Sequence, residues 1–194
     1  MDKLEQQMQF LLELDKQKEI ERQTYLASGK RKEGDAEHAW HLAVMAFLLA
    51  DYANEKIDVL KTVKMVLLHD VVEIDAGDTY AYDTAGNQTK RLREEKAADR
   101  IYGMLPEKQK QECRALWEEF ERGETPEAKF ANTLDKVQPV LLNDASGGIS
   151  WREHGIEKSQ IMERNAHTQE GSGALWEYAH RLIEENAAKG NIKE

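Results

Sequence analysis

The apolar run from Ile57 to Val72, closed by His69-Asp70, narrows more than any other segment what this chain can fold into. Its spacing is helical, and it ends on two groups that bind cations. His38 stands upstream and Asp135 downstream, each inside another apolar helical run. The order His … His-Asp … Asp lets three helices aim four ligand groups at one divalent cation. Imidazole with carboxylate suits Mn, Co, Fe, Ni or Zn, and carboxylate with water suits Mg. The dipeptide alone is weak evidence. The residues just after it strengthen the case: His-Asp-x-x-Glu-x-x-x-Gly-Asp adds Glu73, Asp75 and Asp78. Such a crowd of carboxylates is unfavourable unless a cation sits among them.

The rest of the chain points to an all-α fold. Only three prolines occur, β-branched alternation is nearly absent, and Pro106 and Pro126 stand where first-turn prolines stand. The spacing predicts helix one over roughly Lys3 to Ser28, with Leu4, Met8, Phe10, Leu11 and Leu14 in its stripe. After the polar run Gly29 to Gly34, Asp35 reads as the N-cap of helix two, Ala36 to Ala53. Helix three covers Glu55 to Glu73, and a polar loop follows from Ile74 to Gln88. Helix four runs from Thr89 to Gly103, helix five from Pro106 to near Gly123, and helix six from Pro126 to before Gly147-Gly148. Trp151 to Gly155 is expected to be a connector. Helix seven spans Glu157 to Ala166, and helix eight spans Gly171 to Lys189, closed by Gly190. The expectation is a bundle of six to eight helices around a metal site, with residues 1–194 as a single domain.

Composition limits the partners. The formal charge is −10 and no basic face is evident, so a nucleic-acid polymer is not expected. A cation in the site would still let an acidic chain bind small phosphates, because it reverses the local field. The single cysteine, Cys113, excludes an intramolecular disulfide and fits a reducing, cytoplasmic setting. The amphipathic N-terminus is not a signal peptide, and no apolar stretch approaches the roughly 18 residues of a membrane span.

On a helix, His69 and Glu73 at i and i+4 share a face, and Asp70 can converge from the neighbouring position. With His38 and Asp135 this makes two histidines and two carboxylates, which leaves room for water and a substrate oxygen. An open coordination position separates a catalytic cation from a structural one. Glu73 and Asp78 are candidates for orienting the water or passing a proton. Each residue also has a plainer reading. His69 can be a satisfied core histidine, and Asp135 half of a surface pair with Lys136 or Lys129. His41 can be a fifth ligand or a packing residue. Trp151 reads as a packing anchor. His154 can cap helix seven or line the mouth of the pocket.

Three segments carry a resemblance: Asp-Ala-Glu-His-Ala-Trp-His-Leu-Ala (35–43), His-Asp-Val-Val-Glu-Ile-Asp-Ala-Gly-Asp (69–78) and Glu-Ala-Lys-Phe-Ala-Asn-Thr-Leu-Asp-Lys (127–136). Over most of its length the chain resembles the HD-domain phosphohydrolases, and most closely the branch that contains the YfbR-like 5′-deoxyribonucleotidases. Gly-Ile-Ser-Trp-Arg-Glu-His-Gly-Ile (148–156) with Arg164-Asn165 is similar to a bacterial subgroup of HD hydrolases. The resemblance implies one divalent metal ion (Mn, Co, Mg, Fe, Ni or Zn) held by His38, His69, Asp70 and Asp135. It also implies catalytic carboxylates at Glu73 and Asp78, and an arginine on substrate phosphate, Arg22, at the end of helix one. His154 is a candidate substrate-side residue, and a homodimer is expected.

The expected reaction is metal-dependent hydrolysis of a (deoxy)ribonucleoside 5′-monophosphate. The alternatives are another small phosphorylated metabolite, a nucleoside triphosphate, or a metal-stabilised helical module without turnover. Gln23 and Thr24 follow Arg22, where the nucleotidases tend to have an aromatic or apolar residue, which leaves the nucleoside preference open. The signals of cyclic-di-GMP phosphodiesterases and of the bimetallic alarmone hydrolases are absent from the sequence.

Overall fold

Asp2, Asp58, Asp83, Thr125 and Ser172 each accept a hydrogen bond from an amide of the helix that follows. Short polar side chains therefore set where those helices begin. The computed structural model describes residues 2–194, the Thr84 side chain excepted. Along the chain run α1 (Lys3–Leu14), a 3-10 turn (Asp15–Glu19), β1 (Glu21–Tyr25), β2 (Lys32–Gly34), α2 (Asp35–Leu48), α3 (Val59–Leu68) and α4 (Glu73–Ala76). They are followed by α5 (Thr84–Tyr102), α6 (Glu107–Arg122), α7 (Pro126–Ala145), α8 (Ile149–His154), α9 (Lys158–Arg164) and α10 (Gly173–Ala188). The fold is all-α apart from the antiparallel hairpin β1–β2, which pairs Glu21 with Gly34 and Tyr25 with Lys32. Among the described residues, no helix is long and apolar enough to cross a membrane.

The core lies in three apolar clusters. Leu42, Met65, Phe120 and Leu134 join α2, α3, α6 and α7. Phe10, Val72, Ile101 and Trp117 join α1, α5 and α6 to the turn after α3. Val140, Trp151, Ile161 and Ile183 join α7 to α8, α9 and α10. Each fully buried large side chain contributes about 1.5–3 kcal/mol. Helix α7 enters both the first and the third cluster, so Asp135 on it is held from two sides.

Several boundaries differ from the sequence expectation. Helix one stops at Leu14 rather than Ser28, because the apolar stripe gives out over Asp-Lys-Gln-Lys-Glu. Arg22 therefore stands on a strand, not at a helix end. Asp35 is the first residue of α2 and wholly buried, not an exposed N-cap. Its carboxylate accepts from Gln17 Nε2 at 2.6 Å and from Arg22 Nη1 at 3.2 Å. Helix α3 begins at Val59, where Asp58 caps it, and ends at Leu68. Helix α5 starts at Thr84, inside the stretch expected to be a loop. The expected connector at Trp151 is helix α8, with Trp151 buried as a packing anchor.

Candidate metal centre

Three elements deliver the first group of side chains. His38 is on the first turns of α2, His69 and Asp70 follow the last turn of α3, and Asp135 is near the middle of α7. The His69 Nδ1–H donates to the Val66 carbonyl at 2.8 Å. A carbonyl can only accept, so Nε2 is turned into the site, where it is buried and makes no hydrogen bond among the described residues. His38 is fixed in the same sense: its Nδ1 faces Gln138 Oε1 at 3.1 Å, and its Nε2 faces Asp135 Oδ1 at 3.0 Å. Burial, reinforced by Arg22, lowers the His38 pKa to about 4, so the ring is neutral at pH 7. With its proton on Nδ1, Nε2 carries a lone pair aimed at a carboxylate oxygen.

Four acceptor atoms thus crowd together: His38 Nε2, His69 Nε2, Asp70 Oδ2 and Asp135 Oδ1. His69 Nε2 lies 3.0 Å from Asp70 Oδ2 and 3.7 Å from Asp135 Oδ1. His38 Nε2 lies 3.9 Å from Asp70 Oδ2. Ligands about 2.1 Å from a tetrahedral or octahedral cation stand roughly 3.0–3.4 Å apart, so the spacing fits a divalent cation. The electrostatics agree. Burial alone would lower the His69 pKa, but Asp70 and Asp135 raise it well above the usual value. Those carboxylates favour positive charge at this point strongly enough to override desolvation.

A second group adjoins the first. Asp35, Asp70 and Glu73 place carboxylate oxygens within 4.8 Å of one another. Arg22 Nη1 donates to Asp70 Oδ2 at 2.8 Å, and its Nε lies 3.8 Å from Glu33. Burial raises Glu33 to about 7. Burial, with Asp70 beside it, raises Asp35 to about 8. Glu73 is raised well above the usual range by burial and then by Asp70, Asp35 and Asp78, and its Oε2 has no partner. Gly77 follows at φ 76° and ψ 148°, a conformation essentially reserved for glycine. It turns the chain so that Glu73 and Asp78 line one cavity of about 110 Å³. Arg22, Gln23, Asp70, Lys90, Asp135 and Arg164 share its walls.

The protein-family model for the HD domain matches residues 14–176, a span that contains all four converging side chains. The chain belongs to the HD-domain family. It superposes on a protein described as a predicted metal-dependent phosphohydrolase from Magnetospirillum magnetotacticum MS-1 with a TM-score of 0.95 and 44% identity, covering 99% of this chain and 96% of that one. It is 34% identical over 112 residues to the human 5′-deoxynucleotidase HDDC2, covering 58% of this chain and 53% of the relative. It is 32% identical over 135 residues to the bovine protein of that name, covering 69% of this chain and 64% of the relative. The chain thus matches between half and two thirds of the length of these curated relatives.

Within this HD domain, three contributors escaped the sequence reading. Gln138 bridges His38 to Glu33, donating from Nε2 to Glu33 Oε1 at 2.6 Å. It lies one turn after Asp135, a spacing that could have pointed to it. Lys90 reaches the cavity from α5. Burial works against its charge, but Glu94, at 3.4 Å, and Asp70 keep its pKa above the usual value. Arg164 reaches the cavity from the end of α9 and forms no ion pair or side-chain hydrogen bond among the described residues. His41 meets Gln138 Nε2 at 3.2 Å and is not in the converging set. His154 is exposed and packs on the Tyr80 ring at 4.6 Å, outside the residues that line the cavity.

Proposed function

We propose that residues 1–194 act as one HD domain that hydrolyses (deoxy)ribonucleoside 5′-monophosphates to nucleoside and phosphate, with His38, His69, Asp70 and Asp135 holding one divalent cation. The observation that carries this reading is the convergence of those four acceptor atoms beside a cavity that Asp70 and Asp135 line together with Glu73, Asp78, Lys90 and Arg164. When bound, the cation supplies Lewis acidity, lowering the pKa of water and polarising a phosphoryl oxygen. The names of the human and bovine relatives support a nucleotide as substrate.

Each residue then has a task. Gln138 and the Val66 carbonyl keep the two imidazole lone pairs on Nε2, facing inwards. Arg22 fixes the Asp70 carboxylate, with substrate phosphate as its second contact across the cavity. Lys90 and Arg164 offset the charge of a phosphate dianion, which four carboxylates would otherwise repel. Glu73 Oε2 takes the proton of the attacking water, and Asp78 delivers one to the departing alcohol oxygen. His154 acts from outside, by holding Tyr80 against the cavity.

A homodimer belongs to this reading, supported by Leu4, Met8, Leu11 and Leu12 exposed on α1. So do a cytoplasmic location, in keeping with the single cysteine, and the exclusion of nucleic-acid polymers, in keeping with the charge of −10. The test is release of inorganic phosphate from a panel of nucleotides and sugar phosphates by protein loaded with Mn, Co or Mg, with and without EDTA. Preferential, EDTA-sensitive hydrolysis of nucleoside 5′-monophosphates is expected. Preferential turnover of sugar phosphates or triphosphates would redirect the reading to another small phosphate ester. No turnover with any metal would leave a metal-stabilised helical module.

A further inference from the structure

A second, smaller compartment adjoins the proposed catalytic cavity. It measures about 50 Å³ and shares Tyr80, Ala81 and Arg164 with the larger cavity. Asn143, on the last turns of α7, lines it and is 5% exposed. The Asn143 Nδ2 donates to the Pro139 carbonyl at 2.8 Å. Exchanging the amide's nitrogen and oxygen would set two acceptors against each other, so this bond decides the orientation. Oδ1 is buried and has no donor among the described residues. A buried amide oxygen without a donor is rare and destabilising. Tyr82 meets Tyr80 edge-on at 5.3 Å and closes the same compartment. Arg164 stands in both walls, unpaired, where it can hold an anion in the larger cavity beside whatever enters the smaller one.

We infer that this compartment is the leaving-group subsite of the phosphoesterase, and that Asn143 Oδ1 selects substrates whose alcohol portion presents a hydrogen-bond donor there. The inference rests on the phosphomonoesterase reading above. The compartment suits a hydroxyl or amino group, not a whole base. Two sources share that chemistry, a sugar hydroxyl and an exocyclic amine. The acceptor would discriminate against an ester lacking the donor, since the buried oxygen then stays unpaired.

The experiment compares kcat/KM of the metal-loaded protein within pairs of esters that differ in their hydroxyl or amino donors. Deoxyadenosine monophosphate against its 3′-deoxy analogue reports the hydroxyl. The same nucleotide against the analogue lacking the 6-amino group reports the amine. Glycerol 1-phosphate against propyl phosphate reports a hydroxyl without a nucleoside. Wild type should favour the donor-bearing member of one pair by about 10-fold or more. Asn143→Leu should bring that ratio close to one, and Asn143→Asp should keep a preference. A wild type with ratios near one in every pair would overturn the inference, and so would an Asn143→Leu variant that lowers both members equally. Discrimination confined to the glycerol pair, with no nucleotide hydrolysed, would overturn the nucleotidase reading while supporting the subsite.

Discussion

Gln138 Oε1 stands 3.1 Å from His38 Nδ1, so a residue with no charge decides which nitrogen of a buried histidine faces the metal centre. The same amide donates to Glu33 Oε1 at 2.6 Å, which sets its orientation and makes Oε1 the acceptor for His38. Outer hydrogen bonds of this kind fix the tautomer and angle of a ligating imidazole.

Gln138→Leu should therefore weaken metal binding by about 10–100-fold without removing any proposed ligand. Titration of the metal-free protein with Mn or Co, read by calorimetry, measures this. Gln138→Glu, which keeps an acceptor for His38, should recover part of the affinity. Unchanged affinity in Gln138→Leu would show that His38 is oriented by packing alone.

Arg22 binds two carboxylates at once, the half-buried Asp70 at 2.8 Å and the buried Asp35 at 3.2 Å. A role on substrate phosphate alone would predict that Arg22→Ala keeps its metal. These contacts predict a broader loss, because Asp70 would lose the group that fixes it and Asp35 would lose the donor to its Oδ1. Breaking a buried pair from one side costs about 3–5 kcal/mol while the remaining charge stays ionised. Arg22→Ala should thus lower the melting temperature and the metal content together, and raise KM. A variant with full metal occupancy by elemental analysis and a raised KM would return Arg22 to phosphate binding only.

Much of the centre could be read before the fold because its ligands sit at helix ends and on apolar faces, where a charge is conspicuous. His69, Asp70 and Glu73 are close enough in sequence for helical geometry to group them, and α7 was bounded well by Pro126 and the Gly147-Gly148 pair. The hairpin was not legible. Glu-Arg-Gln-Thr-Tyr carries no apolar alternation, and its strand pairs only with β2. It is anchored by tertiary contacts of Arg22 with Asp70 and Asp35. Lys90 and Arg164 were equally hidden, since a cation on a charged helix looks solvated until the opposite wall is known. Gln138 looks like any polar residue before a proline.

Glu73 should separate turnover from metal binding. Its Oε2 has no partner, and Glu73 does not belong to the converging histidine group. Glu73→Gln keeps the shape and removes the proton acceptor. Turnover should fall by about 10²–10⁴-fold with metal content unchanged. Steady-state kinetics with elemental analysis measures both, and KM should move little if Glu73 acts chiefly in the transition state. A variant that loses its metal would make Glu73 a ligand instead.

The stability of the metal-free protein should fall as pH rises from about 6.5 to 8, and a divalent cation should reduce that fall. Burial holds Glu33 near 7 against a usual 4.5, and Asp35 near 8 against a usual 3.8. Between the usual and the raised values the folded chain keeps protons that the unfolded chain has released. Stability from these groups is therefore fully present below the usual values and is lost as pH climbs through 7 and 8. His69, raised well above 6.5, has the same sign in this window. His38 opposes it only at lower pH: lowered to about 4 from 6.5, it destabilises the fold as pH falls between those values. Asp70 and Asp135 lie below their usual 3.8, so they act only in acid. Above pH 6.5 the raised groups prevail. A bound cation offsets the ionised carboxylates, and its affinity rises as competing protons leave. Melting temperatures measured at pH 6.5 and 8, in EDTA and in excess Mn, should show a metal-induced increase that is larger at pH 8. An increase of equal size at both values would mean that the buried carboxylates do not titrate in this range.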